Sequence, residues 1–157
     1  MWRLAVALVI LISGLLGPPG RASAQDLSGR WYGEGETSSG FAQWFFHLEP
    51  DGAFDIEFRA YKDCTQLFQH TESGSWSLSG DLLATTATTI NGRSAYSYKS
   101  YVLLGLEGGE MRYRHVQTGL HFISRKVSVE FDWPACDKLS FRERGRREWH
   151  FAAATLK

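Results

Sequence analysis

The feature that most constrains the fold is a two-residue period in the apolar side chains on both sides of the turn Pro50-Asp51-Gly52. The residues that share this period are Trp44, Phe46, Leu48, Phe54, Ile56 and Phe58. Placing Leu48 opposite Phe54 pairs each apolar residue with another across the turn and leaves the charged residues on the other face. The pattern predicts a β-hairpin with one buried face.

Similar segments follow up to about residue 132. A short strand over 74–79 turns at Gly80-Asp81 into the Thr-rich run 83–90, and Asn91-Gly92, a strong hairpin signal, leads into 95–104. Further predicted turns at 107–110 and 118–119 precede the segments 111–117 and 120–131, and residues 30–36 are predicted to be the first strand. No helical period interrupts these segments. The sequence predicts an all-β, antiparallel up-and-down barrel of about eight strands.

Residues 1–24 have the layout of a secretory signal peptide. Arg3 precedes an apolar run over 4–12, a Gly-Pro-Pro-Gly bend lies at 17–20, and Ala22 and Ala24 satisfy the small-residue rule for cleavage after Ala24. A membrane anchor needs about 20 continuous apolar residues, so the run is too short. No cysteine at the cut offers a lipid anchor. We expect an exported protein, periplasmic or secreted, that is soluble after cleavage.

The charge balance excludes some classes of partner. Cleavage removes two of the 17 basic side chains and none of the 17 acidic ones, which leaves a net charge of −2. So weak a charge gives no reason to expect nucleic acid or an anionic membrane. A single barrel domain is predicted over 25–139. The arginine-rich residues 140–157 are predicted to form a tail or short helix packed on the barrel.

Cys64 and Cys136 are the two cysteines of the chain. In an oxidising compartment, a single disulfide between them is expected. The alternative is a catalytic thiol at Cys64, for which His70 is near in sequence.

Signals for catalysis and for metal binding are weak. The five histidines show no metal-ligand spacing. Pairing Gln117 with Leu120 across the turn at 118–119 would place His115 opposite Phe122, apart from His121. No nucleophile elbow, phosphate loop or dinucleotide glycine pattern is present. We therefore expect no enzyme activity, no metal and no cofactor.

Tyrosines form the group that most resembles a binding site. Tyr96 and Tyr98 share one face of a predicted strand, Tyr101 points the other way, and Tyr113 lies on the next strand. Phenol groups can line a pocket and hydrogen-bond a ligand. The alternative is that they form cross-strand aromatic pairs on the barrel wall.

The opening Leu27-Ser28-Gly29-Arg30-Trp31 resembles the first strand of the lipocalins and other calycins, and 74–80 resembles the lipocalin-like domains of exported bacterial proteins. The resemblance implies that Gly29 and Trp31 are structural, with Trp31 plugging one end of the barrel and an arginine stacked on it. Arg142 and Arg144 are the candidates for that arginine. The Thr-Asp pair of the later lipocalin motif is missing, and the polar ligand contacts of avidin-like barrels do not map onto this chain.

Two functions are compatible with these observations. The first is binding of a small, largely apolar ligand inside the barrel, because about eight strands enclose either one small ligand or a filled core. The candidate lumen-lining residues are Trp44, Phe46, Ile56, Phe58, Trp76, Tyr96 and Tyr98. The alternative is a filled barrel that binds a protein partner, for example as an inhibitor of a periplasmic enzyme.

Overall fold

The structure, a computed structural model, describes residues 22–37 and 40–135. One helical turn is followed by eight strands: α1 (Ala24–Leu27), β1 (Gly29–Thr37), β2 (Gly40–Leu48), β3 (Ala53–Lys62), β4 (Thr65–Ser79), β5 (Leu82–Ile90), β6 (Arg93–Glu107), β7 (Glu110–His115) and β8 (His121–Val127). Each strand pairs antiparallel with the next, and β1 pairs with β8. The predicted all-β, eight-stranded barrel is confirmed.

The hairpin formed by β2 and β3 has the predicted register. Leu48 lies opposite Phe54, Phe46 opposite Ile56, and Trp44 opposite Phe58. At the turn, the Asp51 carboxylate accepts a hydrogen bond from the Ala53 N–H at 2.9 Å. Gly52 adopts a φ of +91°, which favours glycine. Turn chemistry and apolar alternation therefore specify the same register.

Two strands are longer than predicted, and one turn differs. β4 and β6 each run for 15 residues, with register shifts in their pairing with neighbouring strands. Arg114 pairs with His121 and Tyr113 with Phe122, so the predicted pairing of His115 with Phe122 was wrong. The reason is a wider turn over 116–119, which the His115 N–H closes by donating to the Leu120 carbonyl at 2.8 Å.

Helix α1 closes one end of the barrel. Leu27 and Trp31 are buried there, and the Trp31 indole N–H donates to the Leu27 carbonyl at 2.7 Å. Ser23 caps the helix in a capping box with Asp26, so the predicted cleavage after Ala24 would remove the cap. Lys126 Nζ lies 5.3 Å from the Trp31 ring centroid, where the resemblance to the calycins implies an arginine. Arg142 and Arg144, the predicted candidates, lie outside the described residues.

After β8, residues 128–135 cross the outer face of β1, β2 and β3; we call this segment the strap. Phe131 packs 4.8 Å from the Tyr32 ring centroid, and the Arg59 guanidinium lies 3.9 Å from the centroid of Trp133. The Gln43 amide donates to the Pro134 carbonyl at 3.1 Å. The strap thus buries an aromatic surface outside the barrel.

The strap runs from the α1 end of β1 towards the turn between β3 and β4, where Cys64 lies at a φ of +62°. Cys136 and the predicted tail over 140–157 lie outside the described residues. The disulfide between Cys64 and Cys136 therefore stays a prediction, and the course of the strap is compatible with it.

Candidate functional site

Five predicted lumen residues lie on the inner face of the barrel. Trp44, Phe46 and Trp76 are buried there, and Ile56 and Phe58 are partly buried against the same core. The side chains pack on one another and on neighbouring aromatics. The Trp44 indole N–H donates to Ser124 Oγ at 2.9 Å, and Tyr113 OH lies 3.1 Å from the same oxygen. The α1 half of the barrel is therefore a packed aromatic core.

Tyr96 and Tyr98 do not line the lumen. They are 74% and 50% exposed on the outside of β6. The pairing of Ala87 with Ser97 and of Thr85 with Lys99 places the odd-numbered residues from Ser97 to Leu103 inside. The two tyrosines share one face of the strand, as the sequence suggests. That face is on the outside of the barrel, whereas the sequence-based prediction placed it in the lumen. Tyr101, on the opposite face, is buried in the core.

A group of polar side chains lies inside the barrel, towards the end opposite α1. We call it the inner polar cluster, and its members are His70, Glu72, Lys99, Tyr101 and His115. Glu72 is buried, and its Oε1 contacts Lys99 Nζ at 2.5 Å and His70 Nε2 at 2.6 Å. The side chains of Lys99 and His70 are 30% and 26% exposed, so solvent reaches the cluster from the open end.

His115 is the member of the cluster with an unsatisfied polar atom. It pairs with Tyr101 across β6 and β7, and the two ring centroids are 5.1 Å apart. Its Nδ1 is hydrogen-bonded to Thr118 Oγ1 at 2.7 Å, whereas its Nε2 is buried and has no hydrogen-bond partner. A buried polar atom without a partner costs about 1–3 kcal/mol. A ligand that hydrogen-bonds this nitrogen would offset that cost.

The electrostatics of the cluster follow from burial and charge. Burial lowers the pKa of His115, and the Lys99 charge lowers it further, so its imidazole is held neutral. Burial acts to raise the pKa of Glu72, but hydrogen bonds from Lys99 and His70 outweigh it and hold the pKa below its ordinary value. The cluster thus offers a neutral imidazole beside a compensated ion pair.

Apolar side chains surround the cluster at the open end of the barrel. Phe58 and Ile90 are partly buried, and Phe68 is 41% exposed and stacks on the His70 ring with centroids 5.9 Å apart. Polar atoms within an apolar rim suit a small amphipathic molecule. Within residues 22–37 and 40–135, no three His, Cys, Asp or Glu side chains are placed to hold a metal ion.

Sequence reasoning did not find the inner polar cluster. Residues 65–73 lack a clear apolar alternation, so the sequence gives no strand signal at Glu72. Lys99 lies in a predicted strand in which the tyrosines are the more prominent candidates for a site. A usable signal was present, because Glu72 lies an even number of residues before Trp76 and so shares its face.

Comparison of the sequence with protein-family models and with curated proteins finds no match to either. In the part of the chain that the structure describes, no helix has the length and apolarity needed to cross a membrane. The fold and the inner polar cluster therefore carry the functional argument.

Proposed function

We propose that the protein is an exported, lipocalin-like barrel that binds a small amphipathic molecule at its open end. The observation that carries the proposal is the buried His115 Nε2, which faces the barrel interior without a hydrogen-bond partner. The ligand presents a hydroxyl or carboxylate oxygen to His115 and Lys99 and an apolar part to Phe58, Phe68 and Ile90.

The packed core sets the depth of this site. Trp44, Phe46 and Trp76 occupy the α1 half of the barrel, so the ligand lies above them and is shorter than one that fills an empty barrel. This refines the expectation of an apolar ligand inside the lumen. Membership of the calycins forms part of the same proposal and is supported by the barrel topology and the buried Trp31. Export to the periplasm or beyond is also part of it and is supported by the signal-peptide layout of residues 1–24.

Native mass spectrometry of the protein purified from its own compartment tests the proposal. We expect a bound small molecule that is lost in His115→Leu and retained in the control His121→Leu, because His121 is an exposed residue of the neighbouring strand β8. Circular dichroism checks that both variants fold. A wild-type mass equal to that of the bare chain, or equal retention in both variants, would contradict the proposal.

A second candidate function is protein binding by a filled barrel, for example inhibition of a periplasmic enzyme. It is favoured by Leu67 and Phe68, which are 59% and 41% exposed near the turn between β3 and β4. Cross-linking in the native compartment tests it, with Leu67→Asp expected to abolish a cross-linked complex. A wild-type chain that forms no such complex would contradict this candidate.

A further inference from the structure

Gln25 is the residue that the predicted cleavage after Ala24 places at the start of the mature chain. Cleavage turns the peptide nitrogen of Gln25 into a free α-amino group, and the side chain of the same residue ends in a carboxamide. Joining the α-amino nitrogen to the side-chain Cδ closes a five-membered ring. Because nucleophile and electrophile belong to one residue, the reaction needs no bimolecular encounter. This inference rests on the export that forms part of the proposed function.

The structure leaves the Gln25 side chain available for this reaction. Gln25 belongs to α1 and is exposed at that end of the barrel. Within residues 22–37 and 40–135, no hydrogen bond or ion pair holds its carboxamide. Neither burial nor a competing partner in this part of the chain therefore keeps the carboxamide from the amino group.

The residues that follow Gln25 are anchored without help from the segment that cleavage removes. Leu27 is buried, and its carbonyl accepts the Trp31 indole N–H at 2.7 Å. The Asp26 carbonyl accepts a hydrogen bond from Lys126 Nζ at 3.4 Å. These two hydrogen bonds do not involve residues 22–24. Cleavage therefore leaves Gln25 at the surface, directly before an anchored segment.

Cleavage also releases Gln25 from the helical conformation of α1. In the uncleaved chain, Ser23 donates to the Asp26 carboxylate through its N–H at 2.9 Å and its hydroxyl at 2.6 Å. Ser23 Oγ accepts the Asp26 N–H at 3.2 Å in return. The helix has four residues, and so short a helix does not persist without its cap. Loss of Ser23 thus frees Gln25 to reach the ring-closing geometry.

We propose that Gln25 is a modification site, at which the mature chain closes into an N-terminal pyroglutamate. The α-amino nitrogen attacks Cδ and forms the C–N bond of the lactam. The bond between Cδ and Nε2 breaks, and the side-chain nitrogen leaves as ammonia with the proton that the α-amino group gives up. No oxidant, reductant or further reactant enters. The lactam carries no α-ammonium charge, so aminopeptidases that recognise a free α-amino group cannot begin to degrade the exported chain.

Intact mass and Edman degradation of protein purified from its native source test the proposal, with no digestion step in which a peptide could cyclise. We expect a chain that begins at residue 25, is lighter than the linear chain by one ammonia and releases no residue in the first Edman cycle. Treatment with pyroglutamyl aminopeptidase should then expose Asp26. The matched control is Gln25→Asn, expressed in the same host, because its shorter side chain would have to close a strained four-membered ring. This variant should be cut at the same place and release asparagine in the first cycle.

The possible outcomes separate this inference from the proposed export. A chain that begins at residue 25 with a linear glutamine, or at another residue after removal of the signal segment, would overturn the pyroglutamate and leave export standing. A chain that retains residues 1–24 would contradict both. A blocked first cycle in Gln25→Asn would also overturn the proposal, since the block would then not depend on the glutamine carboxamide.

Discussion

Gly33 shows how one residue decides the packing of the aromatic core. It lies on the inner face of β1 opposite Trp44, and a Cβ built there would overlap the Trp44 indole. The glycine is therefore required by the close approach of a large ring, not by its backbone conformation. Trp44 in turn reaches Ser124 on the far wall.

We predict that Gly33→Ala destabilises the protein by about 1–3 kcal/mol, because an inserted methyl in a packed core forces neighbouring side chains out of place. Equilibrium urea unfolding measures the loss. Gly105→Ala is the matched control, since no atom lies within 4 Å of a Cβ built there. Equal unfolding midpoints for the two variants would show that the indole moves at little cost.

Protonation of Glu72 is expected to lower the free energy of unfolding at acid pH. Its folded pKa lies below its ordinary value, so the contribution is present above the ordinary glutamate pKa of about 4.3 and is lost as pH falls through the folded value. We predict that Glu72→Gln lowers the free energy of unfolding at neutral pH by about 1–2 kcal/mol, since it leaves the partly buried Lys99 charge unpaired. The variant should also lose less stability than wild type between neutral and acid pH.

Urea unfolding across the acid range measures both effects. Glu110→Gln serves as the control, because its ion pair with Arg112 is solvent-exposed. If Glu72→Gln retained the full acid dependence of the wild type, another carboxylate would be responsible.

At the scale of the element, the strap is the part of the structure that its own sequence does not explain. Tyr32 and Gln43 point outward from the barrel, yet both are buried, because the strap covers them. The Tyr32 hydroxyl donates to Glu34 at 2.6 Å and accepts from Gln43 at 2.9 Å. A hydrogen-bonded aromatic layer thus lies outside the barrel wall.

Removing the main anchor of the strap should loosen this layer. We predict that Trp133→Ala costs about 1–2 kcal/mol, from lost apolar burial and the lost contact with the Arg59 guanidinium. Thermal unfolding and the rate of chymotryptic cleavage after Phe131, within the strap, measure it. Val129→Ala, at a 69% exposed strap position, should change neither quantity. If Trp133→Ala and Val129→Ala had the same unfolding temperature and the same cleavage rate, the contacts of Trp133 would contribute no stability.

The predicted disulfide would fix the far end of the strap. A bond between Cys64 and Cys136 closes a loop of about 70 residues, for which chain entropy gives about 4 kcal/mol. We predict a cross-linked peptide pair in a non-reducing digest and a lower melting temperature after reduction. Two free thiols in protein purified from its native source would contradict the prediction.

For the molecule as a whole, three buried tyrosines make the free energy of unfolding decrease at alkaline pH. Burial raises the pKa of Tyr101 and Tyr113, and burial together with Glu34 raises the pKa of Tyr32. Because the unfolded chain loses these protons first, the stability they contribute is present below about pH 10 and is lost as pH rises further. We predict a cooperative rise in phenolate absorbance that coincides with loss of near-ultraviolet circular dichroism. Gradual ionisation in a folded barrel would contradict it.

Local apolar alternation and turn residues were enough to predict the all-β class, the succession of strands and the register of the β2–β3 hairpin. Each of these properties depends on residues within one short segment, so it can be predicted without knowledge of the rest of the fold. The outward direction of Tyr96 and Tyr98 depends instead on the assembled barrel. So does the contact between Glu72 and Lys99, which are 27 residues apart in the chain. The physical reason is that a one-residue shift in a strand exchanges its inner and outer faces, and the irregularities in β4, β5 and β6 pairing depend on neighbouring strands.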